Sequence, residues 1–150
     1  MSWQDVELRA YESRRQEQAL RSEHLMLRNR LVQAQGSGRW ADLLGQFRSA
    51  VITFNSLKDG GLLRETNSPV THYEIEREDG VSLSVDYDRD LNRVTCSIPS
   101  SRMEDWGFEL EVHGINGNDK TVWVDRQTGQ YLKDEKIAEM AIKRLLIAKA

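Results

Sequence analysis

The chain has 150 residues, 39% apolar and 30% charged, with a formal net charge of −3. That length suits one domain, which would bury about 68–70% of the surface its unfolded chain exposes and so needs no disulfide or metal to hold it. Its single cysteine, Cys96, excludes an internal disulfide; no apolar run nears the ~20 residues of a membrane span and the N-terminus lacks a signal-peptide core, so a cytoplasmic protein without membrane contact is expected.

Residues 2–35 are rich in Gln, Glu, Arg, Ala and Leu, contain no Pro or Gly, and carry a partial heptad. Leu20, His24, Leu27, Leu31 and Ala34 form its better half. The register runs back through Trp3, Val6, Ala10, Ser13 and Glu17, which is too polar in the middle for a buried helix. A long, half-exposed helix over 1–36 is expected, set apart from the main domain of 37–150. It either packs on its own domain with a frayed start or projects and pairs with a partner.

Gly36, Ser37 and Gly38 are read as a break, with Ser37 capping a second helix. From Trp40 the apolar residues Leu43, Leu44, Phe47, Ala50, Val51, Phe54 and Leu57 recur at helical spacing, and Gly60 and Gly61 end the run. Its aromatic stripe of Trp40, Phe47 and Phe54 suits a core facing a sheet. Residues 62–69 read as a connecting loop.

Strand faces follow from parity, because residues opposite each other share a face. Tyr73 and Ile75, then Val81, Leu83, Val85 and Tyr87, put odd positions inward. A three-residue loop over 78–80 with Gly80 left-handed preserves that parity. It sets Tyr73 opposite Val85, Ile75 opposite Leu83, His72 opposite Asp86 and Glu74 opposite Ser84. Val94, Cys96 and Ile98 require an even loop, and four residues over 89–92 place Asp88 across from Arg93. Pro99 closes this strand and 100–105 form a longer connection. The fourth strand carries Trp106, Phe108, Leu110 and Val112 inward, with Glu109, Glu111 and His113 outward. After a turn at Asn116-Gly117, Val122 and Val124 are assigned inward, which leaves Trp123 facing out. Asp134 caps a last helix through Ile137, Ala138, Ala141, Ile142, Leu145 and Leu146. The fold class is therefore α+β: a two-layer, five-stranded antiparallel meander with helices on one face, in the order α-α-β-β-β-β-β-α.

Residues 70–125 hold thirteen Asp or Glu against five Lys or Arg, so the outer sheet face is expected to be acidic, repelling phosphate and attracting basic partners. Asp86, Asp88, Asp90 and Asn92 resemble the start of a calcium loop, but Leu91 and Ser97 stand where glycine and glutamate belong, and a hairpin turn with solvated acids fits better. Cys96 points inward while His72 and His113 point outward, which argues against a Cys–His nucleophile or zinc site. Glu74, Glu76, Glu109, Glu111 and Asp125 share one surface, but a solvated face does not push carboxyl pKa values apart as acid–base catalysis needs. No phosphate-binding, dinucleotide or nucleophile-elbow motif is present, and the Arg-bearing first helix interleaves Glu7, Glu12, Glu17 and Glu23, so no cofactor, metal or nucleic acid is expected.

The sequence thus favours a non-catalytic protein that works by protein–protein contact, with a second copy of itself or another protein. The candidate interface comprises Trp123, Glu74, Glu76, Glu109, Glu111, His72 and His113 on the sheet, with Leu20, Leu27 and Leu31 on the first helix. A competing reading is a carrier or enzyme for a small apolar ligand, with a pocket between sheet and helices lined by Trp40, Phe47, Phe54, Tyr73, Trp106 and Phe108.

Overall fold

A computed structural model describes residues 2–57, 61–67, 70–99, 106–115 and 120–148. The elements run α1 (Trp3–Ser56), β1 (Leu63–Asn67), β2 (His72–Arg77), β3 (Ser82–Asp88), β4 (Arg93–Ile98), β5 (Trp106–Gly114), β6 (Thr121–Asp125), β7 (Tyr131–Leu132) and α2 (Asp134–Ile147). All seven strands join in sequence order into one antiparallel sheet. The class is α+β as expected, with seven strands rather than five and two helices rather than three. The turn at Asn116-Gly117, the helix stop at Gly60, the end of the 62–69 segment and the 100–105 connection fall outside the described residues.

The two expected N-terminal helices are one. Ser2 opens it, accepting the Asp5 N–H at 3.3 Å, and the helix continues unbroken through residues 36–38. Gly36 is buried there, and a Cβ on it would stand 2.0 Å from Asn92 Oδ1. The glycine thus serves a close approach of the β3–β4 turn to the helix. Two interior glycines cost a helix only about 1 kcal/mol each, which strong formers on both sides and tertiary packing outweigh.

Neither outer strand carries the apolar–polar alternation that marks β2 to β5. β1 lies in the stretch read as loop, and only Leu63 in it is a large apolar residue. Asn55 near the end of α1 fastens it: Oδ1 accepts the Leu62 and Leu63 N–H groups at 3.0 Å, and Nδ2 donates to the Leu63 carbonyl at 2.7 Å. β7 is two residues long, beside β6. Tertiary pairing makes these segments strands; propensity over so few residues does not.

The central registers agree with the parity argument. Tyr73 stands opposite Val85, Ile75 opposite Leu83 and His72 opposite Asp86, and Tyr87 opposite Val94 and Asp88 opposite Arg93. Gly80 takes φ +91, as the three-residue loop demands. Asn92 closes the four-residue loop at φ 49, a conformation asparagine tolerates better than most residues.

Parity fails at β6. Val112 pairs with Trp123 and Leu110 with Asp125, so the loop beyond Gly114 and Thr121 has an even length and turns the strand over. Trp123 is fully buried at 0% exposure, while Val122 and Val124 stand opposite His113 and Glu111 on the outer face. Asp125 also leaves the outer acids: 9% exposed, its Oδ1 accepts the Gln127 and Thr128 N–H groups at 2.8 and 3.2 Å.

The core lies between the inner sheet face and the helices. Trp40, Leu43, Phe47 and Val51 of α1 and Ile137, Ala141 and Leu145 of α2 meet Tyr73, Ile75, Leu83, Val85, Leu110 and Trp123. Cys96 is wholly buried, and burial pushes its thiol far above the usual range. Arg77 ties sheet to helix end, donating to the Leu145 and Ala148 carbonyls at 2.8 and 2.7 Å, with Asp79 on its other edge. It satisfies carbonyls that a helix C-terminus leaves without intrahelical partners.

Candidate functional site

The first 30 residues set this chain apart. From Ser2 to Arg30 every residue of α1 is exposed. The helix first meets the sheet near Leu31: a Cβ on Gly114 of β5 would lie 3.5 Å from Leu31 Cδ2 and 3.9 Å from Arg28 Cγ. At 1.5 Å per residue, the free portion extends about 42 Å. It carries eight exposed large apolar side chains, including Trp3 at 72%, Leu20 at 55% and Leu27 at 54%. A helix exposed on all sides gains nothing from tertiary packing, which supplies most helical stability in proteins.

The free seam also has a direction. At about 100° per residue, twenty residues separate Leu20 from Trp40 and Leu27 from Phe47, a net rotation of roughly 200°. Trp40 and Phe47 face the core. Leu20 and Leu27 therefore lie on a different face of α1 from Trp40 and Phe47, although Leu31, about 40° from Leu27 on the same seam, already touches the sheet at Gly114.

The outer sheet face differs from the expected bare acidic surface, because its carboxylates are largely paired. Arg64 donates to Glu76 at 3.0 Å, and Arg93 meets Glu111 at 2.8 Å. Arg126 engages Glu109 and, at 2.7 Å, Glu111. His72 sits 2.5 Å from Asp86 through Nδ1 and 3.5 Å from Glu74 through Nε2. His113 lies 3.1 Å from Glu111. Such solvent-touched pairs contribute about 0–1 kcal/mol each, but together they cancel much of the field that would draw a basic partner.

These contacts set the titration of two groups. The hydrogen bond to Asp86 raises His72 against partial burial, with Asp86 and Glu74 charges adding to it. Glu111 is pushed up by burial, yet His113, Arg93 and Arg126 together hold it below the usual carboxylate range. Among the described residues, no three His, Cys, Asp or Glu side chains converge as metal ligands.

Trp123 cannot serve as an exposed anchor. Its ring fills the core, and its neighbour Asp134 is pushed up by burial, opposed by the Arg39 guanidinium and the Trp123 indole N–H. The aromatics assigned to a pocket pack on core neighbours or on one another. Trp40 stacks on Tyr87 with ring centroids 5.3 Å apart, Phe47 lies 5.8 Å from Tyr73, and Trp106 meets Phe108 edge-on at 5.1 Å. Trp40, Phe47 and Tyr73 are buried within the core, and Phe54 packs against its margin. The Trp40 indole N–H is satisfied by the Val70 carbonyl at 2.9 Å.

Of the residues singled out from the sequence, the structure brings His72, Glu74 and Asp86 together at one place and His113, Glu109 and Glu111 at another, and leaves Leu20 and Leu27 on the free helix. Arg93 falls on the outward position that parity assigns it opposite Asp88; Arg64 and Arg126 fall on outward positions only through the β1 pairing and the β6 register. No protein-family model matches the chain, and searches of curated proteins and of solved structures return no significant match.

Proposed function

We propose that this protein is a non-catalytic interaction module that assembles with a second copy of itself through the free portion of α1. The observation carrying this reading is that helix: residues 2–30 exposed on every side, bearing eight large apolar side chains. Such exposed apolar side chains concentrated on one free helix are what a partner would cover. The Leu20–Leu27 seam has heptad spacing, which a second helix fits.

A narrower version, in which the sheet face receives a basic partner, has less to draw on, because Arg64, Arg93, Arg126 and His72 already answer its acids. For the carrier or enzyme alternative, Trp40, Phe47 and Tyr73 fill the core, which leaves Trp106 and Phe108, beside Thr95 and Ser97 in a surface cleft, as its remaining lining.

Sedimentation equilibrium tests the reading. The full chain is expected to dimerise reversibly, and Leu20→Glu with Leu27→Glu, both on exposed positions, to give a monomer with unchanged unfolding of the α+β domain. A wild-type chain that stays monomeric across the accessible concentration range would defeat it.

A further inference from the structure

The geometry points to an antiparallel pairing of the two free helices, centred at residue 15, with each Trp3 against Leu27 of the second copy. This rests on the self-assembly proposed above and adds the orientation and register.

Three observations select it. The first is length. The free seam begins at Trp3 and ends at Leu27, because the next seam residue, Leu31, is half-buried against Gly114 of its own sheet. Only a register whose paired residue numbers sum to 30 uses the whole seam: Trp3 opposes Leu27 and Ala10 opposes Leu20. A shift by one heptad either strands Leu27 without a partner or drives Trp3 toward Ala34 of the second copy, where α1 already lies on its domain.

The second is where the polar residues fall. Side by side in parallel, the helices would stack Glu17 on Glu17, setting like charges in the seam, and His24 on His24. Antiparallel, Glu17 meets Ser13 of the second copy, a hydroxyl that can donate to the carboxylate, and His24 meets Val6. Apart from His24, the seam is apolar at both ends and polar at its centre, and a two-fold axis at residue 15 superimposes that pattern on itself.

The third is charge at the flanks. In the same register Glu7 lies beside Arg21, and Arg9 beside Glu23, each pair occurring twice. Arg14 beside Arg14 of the second copy is the one like-charged pair. The parallel arrangement sets Arg9 against Arg14 and matches only Glu23 with Arg28. In this register the two domains stand at opposite ends of the helix pair, about 48 Å apart along it from one Leu31 to the other.

Single-cysteine variants of the full chain read this directly, because Cys96 is buried and inert to mild oxidation. Gln16→Cys, next to the axis, is expected to form a disulfide dimer with itself. Ala10→Cys alone and Leu20→Cys alone are expected to stay uncrosslinked, and their mixture to give the mixed dimer. Self-crosslinking of both Ala10→Cys and Leu20→Cys in a chain that sediments as a dimer would overturn the antiparallel register and leave self-assembly standing. A monomer in sedimentation with no crosslinking in any variant would overturn both. Charge reversal gives a second readout: Glu23→Arg is expected to weaken dimerisation on the order of tenfold, and adding Arg9→Glu to restore it. Failure of Arg9→Glu to restore it would also count against the register, since a parallel pair places Glu23 beside Arg28.

Discussion

Gly36 and Gly38 stand two residues apart in one helix, yet alanine is expected to have opposite effects at them. A Cβ on Gly36 would lie 2.0 Å from Asn92 Oδ1, 2.8 Å from its Cγ and 3.1 Å from the Tyr87 hydroxyl. Asn92 is 4% exposed and accepts the Tyr87 hydroxyl at 2.8 Å. Alanine would gain about 1 kcal/mol of helix propensity over glycine. Against that, displacing the Asn92 amide costs about 1–3 kcal/mol of overpacking, and leaving the hydroxyl without its acceptor about 1–3 kcal/mol more. The net is a loss of about 1–5 kcal/mol, or roughly 3–15 °C in Tm for a chain of this size. Nothing lies within 4 Å of a Cβ on Gly38, so Gly38→Ala keeps the propensity gain and raises Tm by about 2–4 °C. Thermal unfolding followed by circular dichroism measures both. Replacing Asn92, whose φ of 49 suits glycine, by Asn92→Gly should absorb most of the Gly36→Ala clash, so the double variant loses less than the two singles combined. Equal destabilisation by Gly36→Ala and Gly38→Ala, as a loop at 36–38 would produce, would refute both the continuous helix and the close approach.

Two further outcomes follow from the sheet. Trp123→Ala should lower stability in urea titration by about 3–5 kcal/mol, as emptying a core aromatic site does; a change below about 0.5 kcal/mol would mean the ring is on the surface after all. His72 is raised above 6.5 by its bond to Asp86. Its contribution is therefore fully present below the unfolded value and is lost as pH rises through the folded one. The Tm measured from about pH 6 to pH 9 should fall more steeply in the wild type than in His72→Asn; identical slopes would show that the pair has no energetic role.

Local pattern determined much of this molecule. Alternation with period two, read with turn chemistry at Gly80 and Asn92, is enough to align β2, β3 and β4, because a one-residue slip would turn Leu83 and Val85 into water. Helical spacing from Trp40 to Val51 likewise names the residues that α1 buries. The exposed seam of Leu20 and Leu27 is legible for the same reason: a heptad marks a helix and one of its faces.

Only tertiary structure decided the rest, wherever the outcome turned on something distant in sequence. Gly36 reads as a breaker until Asn92, 56 positions on, lies against it. Trp123 reads as exposed until the length of the loop before it sets which way β6 faces. Glu76, Glu109 and Glu111 read as bare acids until strand pairing brings Arg64, Arg93 and Arg126 alongside. Periodicity reports which residues share a face; which face that is, and what lies against it, depends on pairings that close loops far longer than any local window.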